Sequence, residues 1–140
     1  MKKPLSILII DDDDDDKQMF CEVLSEIDRD ISCISSANGQ DALQLLRQKI
    51  TPPDFIFLDL NMPRMSGKQC LVHIKQIEIL ASVPIIIYST SKLVEDREET
   101  MRLGADYFLT KPSSMQHLKK ELQYIFEKGY QKIMSREQSA

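Results

Sequence analysis

Leu5-Ser6-Ile7-Leu8-Ile9-Ile10-Asp11-Asp12 decides the fold. A short, nearly continuous apolar run reads as a strand buried on both faces, and this one stops abruptly on two carboxylates. The same design recurs along the chain. Phe55 to Leu60 ends around Asp59, Pro84 to Ser89 ends on a hydroxyl, and Tyr107 to Thr110 runs into Lys111-Pro112. Ile31 to Ser35 completes a set of five. Apolar residues at helical spacing fill the gaps: Met19, Val23, Leu24 and Ile27; Ala42, Leu43, Leu46 and Ile50; Leu71, Ile74 and Ile77; then a thinner stripe of Leu93, Arg97, Met101 and Leu103. Met115, Leu118, Leu122, Ile125 and Phe126 mark the last helix, with Ser113 and Gln116 at capping-box spacing. Strands alternating with helices predict an α/β fold, a doubly wound five-stranded parallel sheet with five covering helices.

Composition narrows the function classes. The 140 residues are 42% hydrophobic, enough for one domain to bury its own core without a bridge or structural metal. We read 1–140 as a single unit, with a core over about 5–128 and a helix end and polar tail over 129–140, and no second domain to carry output. A net charge of -4 is too mild to imply a partner by itself, but the absence of a basic stripe argues against nucleic-acid binding. No segment approaches membrane-spanning length, and the apolar run near the N-terminus is too short for a signal-peptide core. Cys21, Cys33 and Cys70 are odd in number and widely spaced, which suits reduced, packed thiols in a cytoplasmic protein. His73 and His117 lie in polar helical surroundings and read as exposed side chains.

The strand ends carry the chemistry. In an open parallel sheet, ligands bind outside the carboxyl ends of the strands, where the strand order reverses. That crevice would collect Asp11, Asp12 and Asp59 with the Ser89 hydroxyl and the Lys111 ammonium. Carboxylates crowded at a sheet edge raise one another's pKa unless a cation intervenes. Magnesium, a hard ion satisfied by oxygen ligands and water, resolves the conflict. A carboxylate beside it can attack phosphorus and become an aspartyl phosphate, with Lys111 and the metal offsetting the phosphoryl charge.

Four motifs in this order resemble the receiver domain of bacterial two-component response regulators: Ile7 to Asp12, Asp59-Leu60-Asn61-Met62-Pro63-Arg64-Met65-Ser66-Gly67, Pro84 to Thr90, and Gly104-Ala105-Asp106 with Lys111-Pro112. The resemblance runs from about Ile7 to the last helix. It implies a flavodoxin-like fold with Asp59 as phosphoacceptor. It makes Asp12, Asp59 and the Asn61 backbone carbonyl magnesium ligands, with Asp11 acting through water and manganese able to substitute. Ser89 and Lys111 would contact the phosphoryl group, and Ser89 and Phe108 would be the switch residues. The implied partners are a sensor histidine kinase or phosphotransfer protein and, downstream, a separate target or a second copy of the chain. The Asn61 to Met65 stretch looks like that of small stand-alone receivers, some of which serve phytochrome-type kinases. Two departures stand out. Ser89 replaces the more frequent threonine, and Phe108 replaces the common tyrosine.

Competing readings fail on particular residues. Asp11, Asp13, Asp15 and Glu22 stand at calcium-loop spacing, but Asp16 occupies the turn-glycine position and a strand precedes the run. Asp13 to Asp15 are ordinary acids at a helix start, where they suit the macrodipole. A phosphatase working through an aspartyl phosphate would need a second acid two residues after Asp59, and that position is Asn61. A receiver fold working without phosphate is disfavoured because every required position is filled.

Overall fold

The computed structural model describes residues 5–48 and 51–129. Five parallel strands form one sheet in the order β2-β1-β3-β4-β5: β1 Ser6–Ile10, β2 Ser32–Ser36, β3 Phe55–Leu58, β4 Ile85–Ser89 and β5 Tyr107–Thr110. The helices are α1 Asp14–Ile27, α2 Gly39–Gln48, α3 Gly67–Lys75, α4 Val94–Arg102 and α5 Met115–Tyr124. A 3-10 turn over Glu78–Leu80 and a π turn over Ile125–Gly129 complete the described chain. Tyr130 to Ala140, expected to form a tail, lie outside the described residues, as does Ile50.

Alternation along each strand sends successive side chains into two cores. Ile7, Ile9, Phe55, Phe57, Ile86, Tyr88 and Leu109 pack with Phe20, Val23 and Leu24 of α1 and Leu118 and Leu122 of α5. Leu8, Ile10, Ile56, Leu58, Ile85, Ile87 and Phe108 pack with α2 and α3 on the opposite face. The central strands β1, β3 and β4 are buried as their sequence predicts.

Five expectations are corrected. β2 is half-exposed because it is an edge strand with few apolar residues. Leu93 and Met101 face solvent, so of the thin stripe's apolar residues only Leu103 packs against the core; within α4 only Thr100 is buried, its hydroxyl donating back to the Asp96 and Arg97 carbonyls. Ser114, not Ser113, caps α5 by accepting the His117 amide at 3.2 Å, which moves the helix start one residue on and leaves Gln116 out of the cap. Cys21 and Cys33 form a disulfide rather than two free thiols, because α1 lies against β2 and brings their Cα atoms to 5.9 Å. Cys70 is free and buried, and burial pushes its thiol up to about 12. His117 is exposed as expected, while His73 is half-buried.

Two glycines set the loops that flank the site. A Cβ on Gly67 would run into the Asp59 carbonyl oxygen and stand 2.6 Å from Leu60 Cα, so only glycine lets α3 begin so close to the β3 terminus. The Gly67 amide donates to the Leu60 carbonyl at 2.8 Å across that approach. Gly104 turns the chain from α4 into β5 at a φ of 111°, a region that side-chain-bearing residues rarely enter. Arg64, in the loop between β3 and α3, also takes a positive φ, of 68°.

Candidate functional site: an acidic crevice at the carboxyl edge of the sheet

The strand order reverses between β1 and β3, and the chain places its acids at that point. Asp11 follows β1 with its amide donating to the Ser36 carbonyl at 3.0 Å, and Asp59 follows β3 with its amide donating to the Ile10 carbonyl at 2.9 Å. The two backbones are therefore fixed to neighbouring strands, and their side chains are buried. Asp12 is exposed beside them. One carboxylate oxygen from each of Asp11, Asp12 and Asp59 lies within 4.8 Å of the others.

Lys111 enters from the end of β5, its amide donating to the Ser89 carbonyl at 2.8 Å. Its Nζ lies 2.8 Å from Asp11 Oδ2, 2.8 Å from Asp16 Oδ2 and 3.8 Å from Asp59 Oδ1. The contact with Asp16 is a hydrogen bond. The contact with Asp11 is a close ion pair that leaves Oδ2 without a well-aligned hydrogen bond. Asp11 Oδ1 accepts the Asp13 amide at 3.0 Å. The ammonium also stands 5.4 Å above the Tyr88 ring.

Burial raises the Asp59 carboxyl from its ordinary 3.8 to about 6. The charge of Lys111 and the Leu60 amide oppose the shift, while Asp11 and Asp12 reinforce it. Burial works against the Lys111 ammonium, but Asp11 and Asp16 outweigh it and hold the pKa above the ordinary lysine value. Burial is thus the main cause of the raised carboxyl, with the neighbouring acids adding to it. Three converging carboxylates, one with a buried oxygen lacking a hydrogen bond, fit a hard divalent cation bound by oxygens.

Of the residues expected from sequence, Asp11, Asp12, Asp59 and Lys111 meet here. Asn61 lies two residues beyond Asp59, exposed in the same loop. Ser89 is fully buried at the end of β4, and its hydroxyl accepts the Ser91 amide at 3.1 Å. Phe108 is buried on β5 in the α2–α3 core, with the Arg97 guanidinium 5.1 Å above its ring. Sequence reading passed over Asp16, which appeared only as the residue in place of a calcium-loop glycine. Its signal was its place three residues after the helix cap Asp13, one turn beyond the strand end.

Residues 7–123 match the model of the response regulator receiver domain. The chain is 31% identical over 127 residues to the response regulator Rcp1 of Synechocystis sp., covering 87% of this chain and 86% of that one. A protein-glutamate methylesterase/protein-glutamine glutaminase of Clostridium acetobutylicum is 34% identical over 119 residues, but the chain spans only 33% of its length. Among solved structures, the phosphorylated cyanobacterial phytochrome response regulator RcpA superposes with a TM-score of 0.81 at 26% identity, over 89% of this chain and 93% of that one. The Mn(2+)-bound form of Rcp1 gives 0.76 at 31% identity, over 87% and 91%. The chain belongs to the response regulator receiver domain family and works in two-component signalling.

Proposed function

We propose that Asp59 accepts a phosphoryl group from the phosphohistidine of a sensor kinase or phosphotransfer protein and that the modified domain changes its binding to a target. The observation that carries this reading is the convergence of Asp59 with Lys111, Asp11 and Asp12 at the strand-order reversal. Magnesium held by Asp11, Asp12, Asp59 and the Asn61 carbonyl, with manganese able to substitute, would supply positive charge for the phosphoryl oxygens. An Asp59 carboxylate oxygen attacks phosphorus. The bond from phosphorus to the imidazole nitrogen breaks, and its electron pair leaves with the ring, which takes up a proton. Lys111, half-buried and held protonated, offers a cation to the phosphoryl group.

The switch begins at Ser89. Its hydroxyl leaves the Ser91 amide to donate to a phosphoryl oxygen, and Phe108, already buried, keeps the adjoining space filled. Leu93 and Val94, 61% and 62% exposed at the start of α4, with Met101 beyond them, provide an apolar surface for a separate target or a second copy of the chain. The likeness to the phytochrome response regulator RcpA supports a phytochrome-type kinase as donor. Nucleic acid and membrane are not partners in this reading; among the described residues no helix is long and apolar enough to cross a membrane. We place the work in the cytoplasm, where such donors operate.

The domain acts as a stoichiometric acceptor, since Asn61 offers no general acid for turnover. A small-molecule phosphodonor with magnesium should label one site per chain and then stop. Continuing release of product in proportion to time, with no labelled protein, would replace this reading with an enzymatic one.

A further inference from the structure

Asp16 accepts a 2.8 Å hydrogen bond from Lys111, yet it is not among the three carboxylates that converge as a cation site. Its backbone is fixed, because its amide donates to the Asp13 cap at 3.0 Å, so the side chain is presented from the first turn of α1. The Lys111 ammonium rests between Asp16, Asp11 and the face of Tyr88, about an ångström closer to the first two than to Asp59 (2.8 Å against 3.8 Å). Asp11 and Asp59 are drawn into the site when a divalent cation binds, and like charges then repel the ammonium. Asp16 is the carboxylate left to receive it. A phosphoryl group on Asp59 makes the opposite demand, since it needs the ammonium that Asp16 holds.

We propose that Asp16 is a positioning residue that provides a resting place for Lys111, favouring cation binding and opposing retention of the phosphoryl group. The inference rests on the reading of Asp59 as phosphoacceptor. It predicts effects of opposite sign at the two steps. Removing the Asp16 charge leaves Lys111 with only Asp11 and Asp59 to pair with, so the ammonium competes with the cation. The same change frees Lys111 for the phosphoryl group.

The test compares Asp16→Asn with Asp15→Asn, which removes the same charge from an exposed neighbour on the same helix turn. Magnesium affinity is measured by calorimetry. Affinity for beryllium fluoride, a non-covalent stand-in for the phosphoryl group, is measured at saturating magnesium. Relative to Asp15→Asn, Asp16→Asn should bind magnesium roughly three- to tenfold more weakly and beryllium fluoride roughly three- to tenfold more tightly, the scale of a partly exposed charge-assisted contact. Asp16→Glu should move both affinities back toward wild type. Both affinities falling together, or both matching Asp15→Asn, would overturn the role of Asp16 while leaving the phosphoacceptor reading intact. A wild-type chain that binds neither magnesium nor beryllium fluoride would overturn both.

Discussion

The Ser89 hydroxyl accepts the backbone amide of Ser91 at 3.1 Å. Ser91 passes the connection on, donating its own hydroxyl to Asp96 at 2.5 Å, and Asp96 pairs with Lys68 of α3 at 2.7 Å. Lys68 also reaches Glu99 at 2.8 Å. The buried switch hydroxyl is thus one end of a polar chain that fastens the start of α4 to α3. Drawing Ser89 toward a phosphoryl group frees the Ser91 amide and loosens that fastening at its origin.

Ser89→Ala should therefore still accept phosphate at Asp59 but switch less completely. A hydrogen bond to a charged group contributes about 1.5–3 kcal/mol, against about 5.5 kcal/mol to invert a 1:99 equilibrium. Losing one such contact removes a large share of the driving force. Amide exchange across Val94 to Tyr124 is the measurement. Phosphorylated Ser89→Ala that exchanges like phosphorylated wild type would show that the signal takes another route.

The pH dependence of metal-free stability follows from Asp59. Its carboxyl is raised from 3.8 to about 6 on folding, with burial the largest cause. Between those values the folded chain holds a proton that the unfolded chain has released. Stability from this group is complete below about 3.8 and is lost as the pH climbs through 6. For Asp59 alone the loss is on the order of 3 kcal/mol. In chelator, wild type should fall in stability relative to Asp59→Asn between about pH 4 and pH 7, and added magnesium should offset the fall. A constant difference between the two proteins across that range would contradict the origin given for the raised carboxyl.

The Cys21–Cys33 bridge spans 12 residues and joins α1 to β2. Closing a loop of that order stabilises a fold by about 2–4 kcal/mol, so reduction should lower Tm by roughly 5–15 °C. Cys21→Ser should melt like the reduced wild type and ignore added reductant. The oxidised, denatured chain should titrate a single thiol, Cys70. Three titratable thiols without reductant would contradict the pairing.

How far the sequence revealed these features depended on whether the signal was local. The strands β1, β3 and β4 were legible because central parallel strands must be apolar on both faces, and the acids ending them stood out against that background. Asp11, Asp12, Asp59 and Lys111 were legible for the same reason, since each directly follows a strand. The pairing of Cys21 with Cys33 was not, because it depends on how α1 lies against β2, and spacing alone says nothing of that. Asp16 was hidden by its surroundings: among the acids of the run that lie on α1, only the rotation of the helix singles out the one that reaches a lysine 95 residues away. The solvent-facing Leu93 and Met101 misled because helical periodicity reports that a stripe exists without saying what it meets.

The most direct test of the account is intact-mass analysis of wild type and Asp59→Asn after incubation with magnesium and a small-molecule phosphodonor, followed by mapping of the labelled peptide. Wild type should gain one phosphoryl group, on the peptide containing Asp59, and Asp59→Asn should gain none. Asp59→Asn that labels as fully as wild type, or a wild-type label mapped to another residue, would contradict the assignment of Asp59 as phosphoacceptor.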